Sequence, residues 1–216
     1  DPLLVFRHMT DANRRPLTSR DTRWAKALAA RLVASNVTPN QISQASVGFA
    51  ALGFLLFWAA AGSTGILQAL CLILAAATVQ LRLLCNLLDG MVAIEGGKSA
   101  PTGPFWNEAP DRAADALFLA GAGLAAHHPV LGLASAALAV ATAYVRELGR
   151  AEGFPPDFSG PMAKPHRMAA LTIGSLLAVV YAPAWTLQAT LWIIALGTAA
   201  TILRRSLRLL SNLDAR

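Results

Sequence analysis

Positions 86 to 115 read NLLDGMVAIEGGKSAPTGPFWNEAPDRAAD, and this one stretch gathers Asp89, Asp111, Asp115, Glu95, Glu108, Asn86 and Asn107. Arg82, Asn86, Asp89 and Ala93 stand at i, i+4, i+7 and i+11, so a helix carries them on one stripe. Asn107, Asp111 and Asp115 stand at i, i+4 and i+8, again on one helical face. Two neighbouring helices joined by a loop can bring these stripes face to face at one depth. Oxygen ligands grouped in this way suit hard divalent cations such as Mg²⁺ or Mn²⁺. Gly90 lies beside the first stripe, and Ala93 leaves room on it for a bulky group to approach the backbone.

The elements that must position these groups are apolar. Of 216 residues, 55% are hydrophobic and 14% charged, where a soluble domain usually carries about a quarter charged residues. Apolar blocks recur at 42–62, 66–79, 116–126, 130–145, 168–182 and 185–203. Spanning a bilayer takes about 20 helical residues, a length each block reaches once its mildly polar flanks are added. The expected fold class is therefore all-α: a polytopic membrane protein of six transmembrane helices with an N-terminal juxtamembrane amphipathic helix. Polar groups at the edge of a bilayer are costly, so the 86–115 cluster reads as functional.

Every Lys and Arg falls on one side of such a six-helix arrangement. The turns GSTG (62–65), HHP (127–129) and APAW (182–185) contain none. The excess of basic residues marks the cytoplasmic side, which places both termini and the polar cluster there. The net charge of +6 is then a property of one membrane face. It suits anionic lipid headgroups and phosphate-bearing substrates. Nucleic acid is not an expected partner, because no basic stripe interleaves with stacking aromatics.

Residues 1–35 read as a cytoplasmic arm and interfacial helix, 36–206 as the six-helix membrane domain and 207–216 as a cytoplasmic tail. Within the first unit a helix is expected from Thr18 to Ser35, with Thr18 or Ser19 as cap and Asp21 in the first turn. Trp24, Leu28 and Leu32 form its apolar stripe, which fits either the headgroup surface or packing on the bundle. Pro39 breaks that helix and starts the first span. No cleavable signal peptide is visible, so the first apolar helix is expected to direct insertion. Cys71 and Cys85 read as buried, unpaired small hydrophobes.

The spacing Asp89-Gly90-x-x-Ala93, then Gly103-x-x-x-Asn107-x-x-x-Asp111, resembles the signature of the CDP-alcohol phosphotransferase family. That family's pattern is D-x-x-D-G-x-x-A-R, eight residues, then G-x-x-x-D-x-x-x-D, and every spacing is kept, including residues 95–102 before Gly103. The motif covers about 30 residues, and the six helices carry the likeness over 36–206. The resemblance implies two divalent ions, held by four carboxylates, on the diphosphate of a CDP-alcohol, commonly CDP-diacylglycerol. A hydroxyl acceptor attacks the β-phosphorus and CMP leaves. Carried over by position, Asn86, Asp89, Asn107 and Asp111 are the metal ligands, with Asp115 as a further candidate. Asp89 and Asp111 are the catalytic pair, Asp111 being the candidate general base. Gly90, Ala93 and Gly103 leave space for the cytidine, and Arg82 stands in for a missing Arg. The resemblance also implies phospholipid biosynthesis in a bacterial inner membrane, and it leaves room for a homodimer.

Three departures bear on that reading. Asn86 and Asn107 replace two acids, and Ile94 replaces the Arg after Ala93. Amide oxygens ligate more weakly, so one Mg²⁺ or Mn²⁺ instead of two becomes an alternative. Glu108 and Asp115 are the acids available to restore charge, although Glu108 lies about 100° around the helix from Asn107. Arg82 or Lys98 can replace the Arg. In GPMAKPHRMA (160–169), Lys164 and Arg167 at i, i+3 resemble an acceptor-side pocket that Arg112 would extend, favouring an anionic acceptor; plain positive-inside anchoring is the alternative. Arg146 and Arg150 read as anchors.

Other signals fail. GGKS (96–99) lacks the upstream Gly of a phosphate loop, Val92 standing in its place, and no strand precedes it. His127 and His128 have no carboxylate or Cys partners nearby in the sequence, and Trp58, Trp185 and Trp192 read as lipid-facing or interfacial. Three functions therefore compete: a phosphatidyl-type transferase, a weakened scaffold that binds a CDP-lipid without turnover, and a membrane prenyltransferase. The last normally carries two Asp-rich motifs on separate repeats, whereas a single cluster stands here.

Overall fold

A computed structural model describes residues 22–97 and 102–216, apart from the side chains of Glu95, Pro104 and Asn107. Expectations resting on the polar arm, on Thr18, Ser19 and Asp21, and on Lys98 lie outside the described residues. Among the described residues, seven helices follow one another: α1 Arg23–Ala34, α2 Pro39–Ala61, α3 Gly65–Glu95, α4 Gly103–Ala125, α5 Pro129–Ala151, α6 Lys164–Val180 and α7 Pro183–Asp214. No strand occurs among the described residues. The helix α7 runs without a break across the boundary expected at 206/207.

Local chemistry sets the starts. Thr38 caps α2, accepting from the Gln41 N–H while the Gln41 side chain accepts from the Thr38 N–H. Pro39 occupies the first helical turn, where its missing N–H costs nothing. Proline likewise opens α5 and α7. The turns between α2 and α3, α4 and α5, and α6 and α7 are those expected from GSTG, HHP and APAW.

Among the described residues four helices, α2, α3, α5 and α7, are long and apolar enough to cross a membrane. The other two differ from the expectation for physical reasons. The stretch of α4 up to Asp115 holds Glu108, Asp111, Arg112 and Asp115. The 17 residues of α6 rise about 26 Å, short of the roughly 30 Å hydrocarbon core.

Helices α2 to α7 close a ring in the order α2, α3, α6, α7, α5, α4, and α4 also touches α7 across it. Phe57, Leu72, Val79, Phe118, Leu119, Met168, Leu171, Leu187, Leu191 and Ile194 fill the centre. Small residues permit close approach: a Cβ on Gly123 would lie 2.7 Å from Gly132 Cα, and one on Gly174 would lie 2.2 Å from Thr190 Oγ1. Ser135, Thr142, Ser175, Thr190 and Thr201 return their hydroxyls to carbonyls one turn back, which satisfies them inside an apolar bundle. The outer faces expose Leu55, Trp58, Leu67, Leu70, Trp192 and Leu196, an apolar surface of the kind that a membrane covers. The helix α1 lays Ala25 and Ala29, flanked by Leu28 and Leu32, against Leu87, Leu88, Met91 and Val92 of α3. Trp24 stays exposed, so α1 packs on the bundle and still presents an apolar ring outward.

Candidate active site

The two polar stripes meet where α3 and α4 converge at the end of the bundle away from the short turns. Asn86 Nδ2 donates to Asp111 Oδ1 at 2.6 Å. Arg82 Nη2 donates to the same oxygen at 3.0 Å, to the Asp111 carbonyl at 3.2 Å and to Asp115 Oδ1 at 3.0 Å. Arg82 is wholly buried, and its Nε and Nη1 have no partner among the described residues. Such a guanidinium is held by the two carboxylates in front of it.

The start of α6 adds two cations. Lys164 Nζ donates to Asp111 Oδ2. Arg167 Nη2 donates to Asp115 Oδ2 at 3.0 Å, and its Nη1 reaches the Met162 carbonyl at 3.1 Å. Asp115 is 1% exposed, and both its oxygens face guanidinium groups. Asp89 differs from the other two acids. Its Oδ2 accepts from Ser43 Oγ at 3.0 Å, no ion pair reaches it among the described residues, and it lies near enough to Asp111 for the charges to interact.

The remaining expected residues fall as follows. Asn107 lies one helical turn before Asp111, and its side chain is outside those described. Gly90 and Ala93 are half-buried on α3, and a Cβ on Gly103 would meet open space. Ile94 is exposed. Arg112 pairs with Glu108, which also receives Arg146 at 2.6 Å. Arg112, Glu108 and Arg146 thus form their own group between α4 and α5, apart from Lys164 and Arg167.

Sequence reasoning missed Ser43, Thr142, Arg205 and Pro110. Ser43 sits one turn into α2 and looks like an ordinary helix serine. Arg205 is buried beside exposed Arg204, a distinction no sequence pattern marks. Its Nε donates to the Ser159 carbonyl and its Nη1 to the Thr142 carbonyl, both at 2.9 Å. Pro110 was visible in the sequence as a helix interior proline. It offers no N–H to the Trp106 carbonyl, so a backbone acceptor is released one turn before the site.

The α5–α6 loop delivers Lys164. The Met162 N–H donates to Thr201 Oγ1 at 3.0 Å. Gly160 has φ +124°, and a Cβ there would lie 2.4 Å from Thr201 Cγ2, so only glycine fits. Arg208 Nη1 donates to Ser159 Oγ at 2.7 Å. Burial raises the Asp157 carboxyl, but hydrogen bonds from Ser159 and the charges of Arg205 and Arg208 outweigh it and hold the group below the usual carboxylate range.

Solved structures of Mycobacterium tuberculosis phosphatidylinositol phosphate synthase (PgsA1) match the fold of this chain. The form with CDP-DAG bound matches with TM-score 0.72 and 21% identity, over 87% of this chain and 94% of that one. The form in complex with manganese and citrate matches with TM-score 0.71 and 20% identity, over 86% and 88%. This chain has the PgsA1 fold. No family model matches the sequence, and no curated protein matches it. The likeness is thus carried by helix order and packing. PgsA1 is a CDP-alcohol phosphotransferase family member, and the all-helical fold found here agrees with the resemblance in residues 86–111.

As a cation site the donor set is hard: carboxylates of Asp89 and Asp111 with the amide of Asn86. No group of three or more His, Cys, Asp or Glu side chains gathers among the described residues. The residues fit a divalent ion on Asp89, the one acid of the three that makes no ion pair among the described residues.

Proposed function

We propose that this chain is an integral membrane CDP-alcohol phosphotransferase that moves a phosphatidyl-type group from a CDP-alcohol, foremost CDP-diacylglycerol, to a hydroxyl acceptor. The observation that carries this reading is the Asn86–Asp111 contact at 2.6 Å, which brings the two halves of the motif together in a fold whose PgsA1 examples hold CDP-DAG or manganese.

Asp89, with the motif positions Asn86 and Asn107, would hold a divalent cation, Mg²⁺ or Mn²⁺, which would neutralise the diphosphate and stabilise departing CMP. Asp111 takes the proton of the acceptor hydroxyl. The acceptor oxygen forms its bond to the β-phosphorus as the bond to the CMP oxygen breaks. Lys164 and Arg167 orient an anionic acceptor. Gly90, Ala93 and Gly103 leave space for the nucleotide, and Arg112 steadies the α4 end of the pocket through Glu108.

The same reading makes α2 to α7 six spans, with α4 and α6 shielded by their neighbours, and takes residues 1–35, 36–206 and 207–216 as arm, membrane domain and tail. It puts the termini and the site on the cytoplasmic side of a bacterial inner membrane, where a water-soluble acceptor is available. A homodimer is compatible with it.

A second reading, a scaffold that binds a CDP-lipid without turnover, is favoured by one observation: both Asp111 oxygens already face cationic or amide donors. Purified protein given CDP-diacylglycerol and a panel of hydroxyl acceptors separates the two. Release of CMP with an equal amount of a new lipid in the mass spectrum supports the transferase. Saturable binding without CMP release leaves only the scaffold.

A further inference from the structure

Among the described residues, the charges around the site are matched without any metal. Asp89, Asp111 and Asp115 supply three carboxylates, and Arg82, Lys164 and Arg167 supply three cations. Glu108 adds nothing, because Arg112 and Arg146 occupy it. One dication on Asp89 would bring the cluster to a charge of about plus two, equal and opposite to an incoming diphosphate diester. A second would bring it to about plus four. Nothing among the described residues offsets that excess, and uncompensated charge in a low-dielectric site is strongly unfavourable.

The group standing on the remaining carboxylate is Lys164, at Asp111 Oδ2. Its position is built. Lys164 is the first residue of α6, and Ala163 before it is buried. The preceding turn is fixed by the Met162 N–H on Thr201 and by Gly160 packed against the same threonine. The ammonium therefore reaches Asp111 from an anchored turn.

We infer that the Lys164 ammonium occupies the place of a second divalent ion, so that the site takes one metal, on Asp89, and uses Lys164 as its other positive charge. This rests on the transferase reading above, except that Lys164 then serves the diphosphate and Arg167 alone faces the acceptor. A compact ammonium supplies a point charge to a phosphate without needing a coordination sphere. It also explains how two acids of the pattern can be Asn: with one ion and one ammonium, fewer negative charges are required. In the substrate-free protein Lys164 covers Asp111. A diphosphate offers the ammonium another anionic partner, and its departure leaves Asp111 open to accept a proton.

Mn²⁺ titration of the full chain in detergent, followed by electron paramagnetic resonance and calorimetry, tests this directly. The natural protein should bind one Mn²⁺ tightly. Lys164→Met should bind the first Mn²⁺ at least roughly tenfold more tightly, since a like charge beside the ion is removed, and should take up a second, weaker ion. Lys164→Arg, which keeps the charge, should resemble the natural protein. Lys164→Gln serves the same purpose if the methionine variant does not fold. Two tightly bound ions in the natural protein, or an unchanged affinity and stoichiometry in the uncharged variants, overturn the inference and leave the transferase reading standing. No Mn²⁺ binding in any form overturns both.

Discussion

Asn86 and Asp111 share a 2.6 Å hydrogen bond across the seam between α3 and α4. A carboxylate at position 86 could not donate there, and two ionised acids would meet in its place unless a cation lay between them. Asn86→Asp should therefore lower thermal stability in the presence of a chelator. The like-charge contact amounts to about 4 kcal/mol at 4 Å and an effective dielectric near 20, before relaxation reduces it. Added Mn²⁺ should recover that loss, and Asn86→Asp with Asn107→Asp should bind Mn²⁺ more tightly than the natural chain. Melting curves with and without chelator check this; a chelator-independent midpoint in the variant would show that no ion bridges the two positions.

Asp89 and Asp111 carry the chemistry in the proposed reaction. Asp89→Ala and Asp111→Ala should each reduce CMP release by at least a hundredfold, the usual scale for a lost acid–base or ligand group, while the protein remains monodisperse in detergent. Turnover within a few-fold of the natural rate in either variant would remove that residue from the site.

Asp115 is predicted to matter for folding, in contrast to Asp89. It is buried, and its two oxygens are held by Arg82 and Arg167. Asp115→Ala leaves two buried guanidinium groups without their shared partner and should destabilise the bundle by about 3–5 kcal/mol. Thermal unfolding in detergent measures this. Loss of activity at unchanged stability would instead place Asp115 among the metal ligands.

The distribution of basic residues predicts sidedness. Cysteines placed at Ser63, His128 and Ala184 should react with an impermeant label on intact cells, whereas those at Gly97 and Ser159 should react only after permeabilisation. Labelling of Gly97 from outside would put the site on the wrong face for a cytosolic acceptor.

Much of this was legible along the chain. The helical period alone places Arg82, Asn86 and Asp89 on one stripe and Asn107, Asp111 and Asp115 on another, because residues three and four apart share a helix face whatever the helix packs against. Thr38, Pro39 and Gln41 announce the start of α2 by backbone chemistry that needs no neighbours. The apolar blocks give the helices, although the charged first half of α4 and the short α6 kept two of them from being spans by composition.

What the sequence alone could not decide was which charged groups turn inward and to whom. Lys164 and Arg150 look alike as basic residues near helix ends, yet Lys164 lies on Asp111, 53 positions away in the chain, and Arg150 pairs locally with Glu147. Arg204 and Arg205 are neighbours, and only the second is buried. Asp115 belongs by spacing to the same stripe as Asp111, but Arg82 and Arg167 arrive from two other helices to occupy it. Periodicity fixes the face of a helix. The partner met on that face depends on which helices close the ring, and that contact is made through space by residues far apart in sequence.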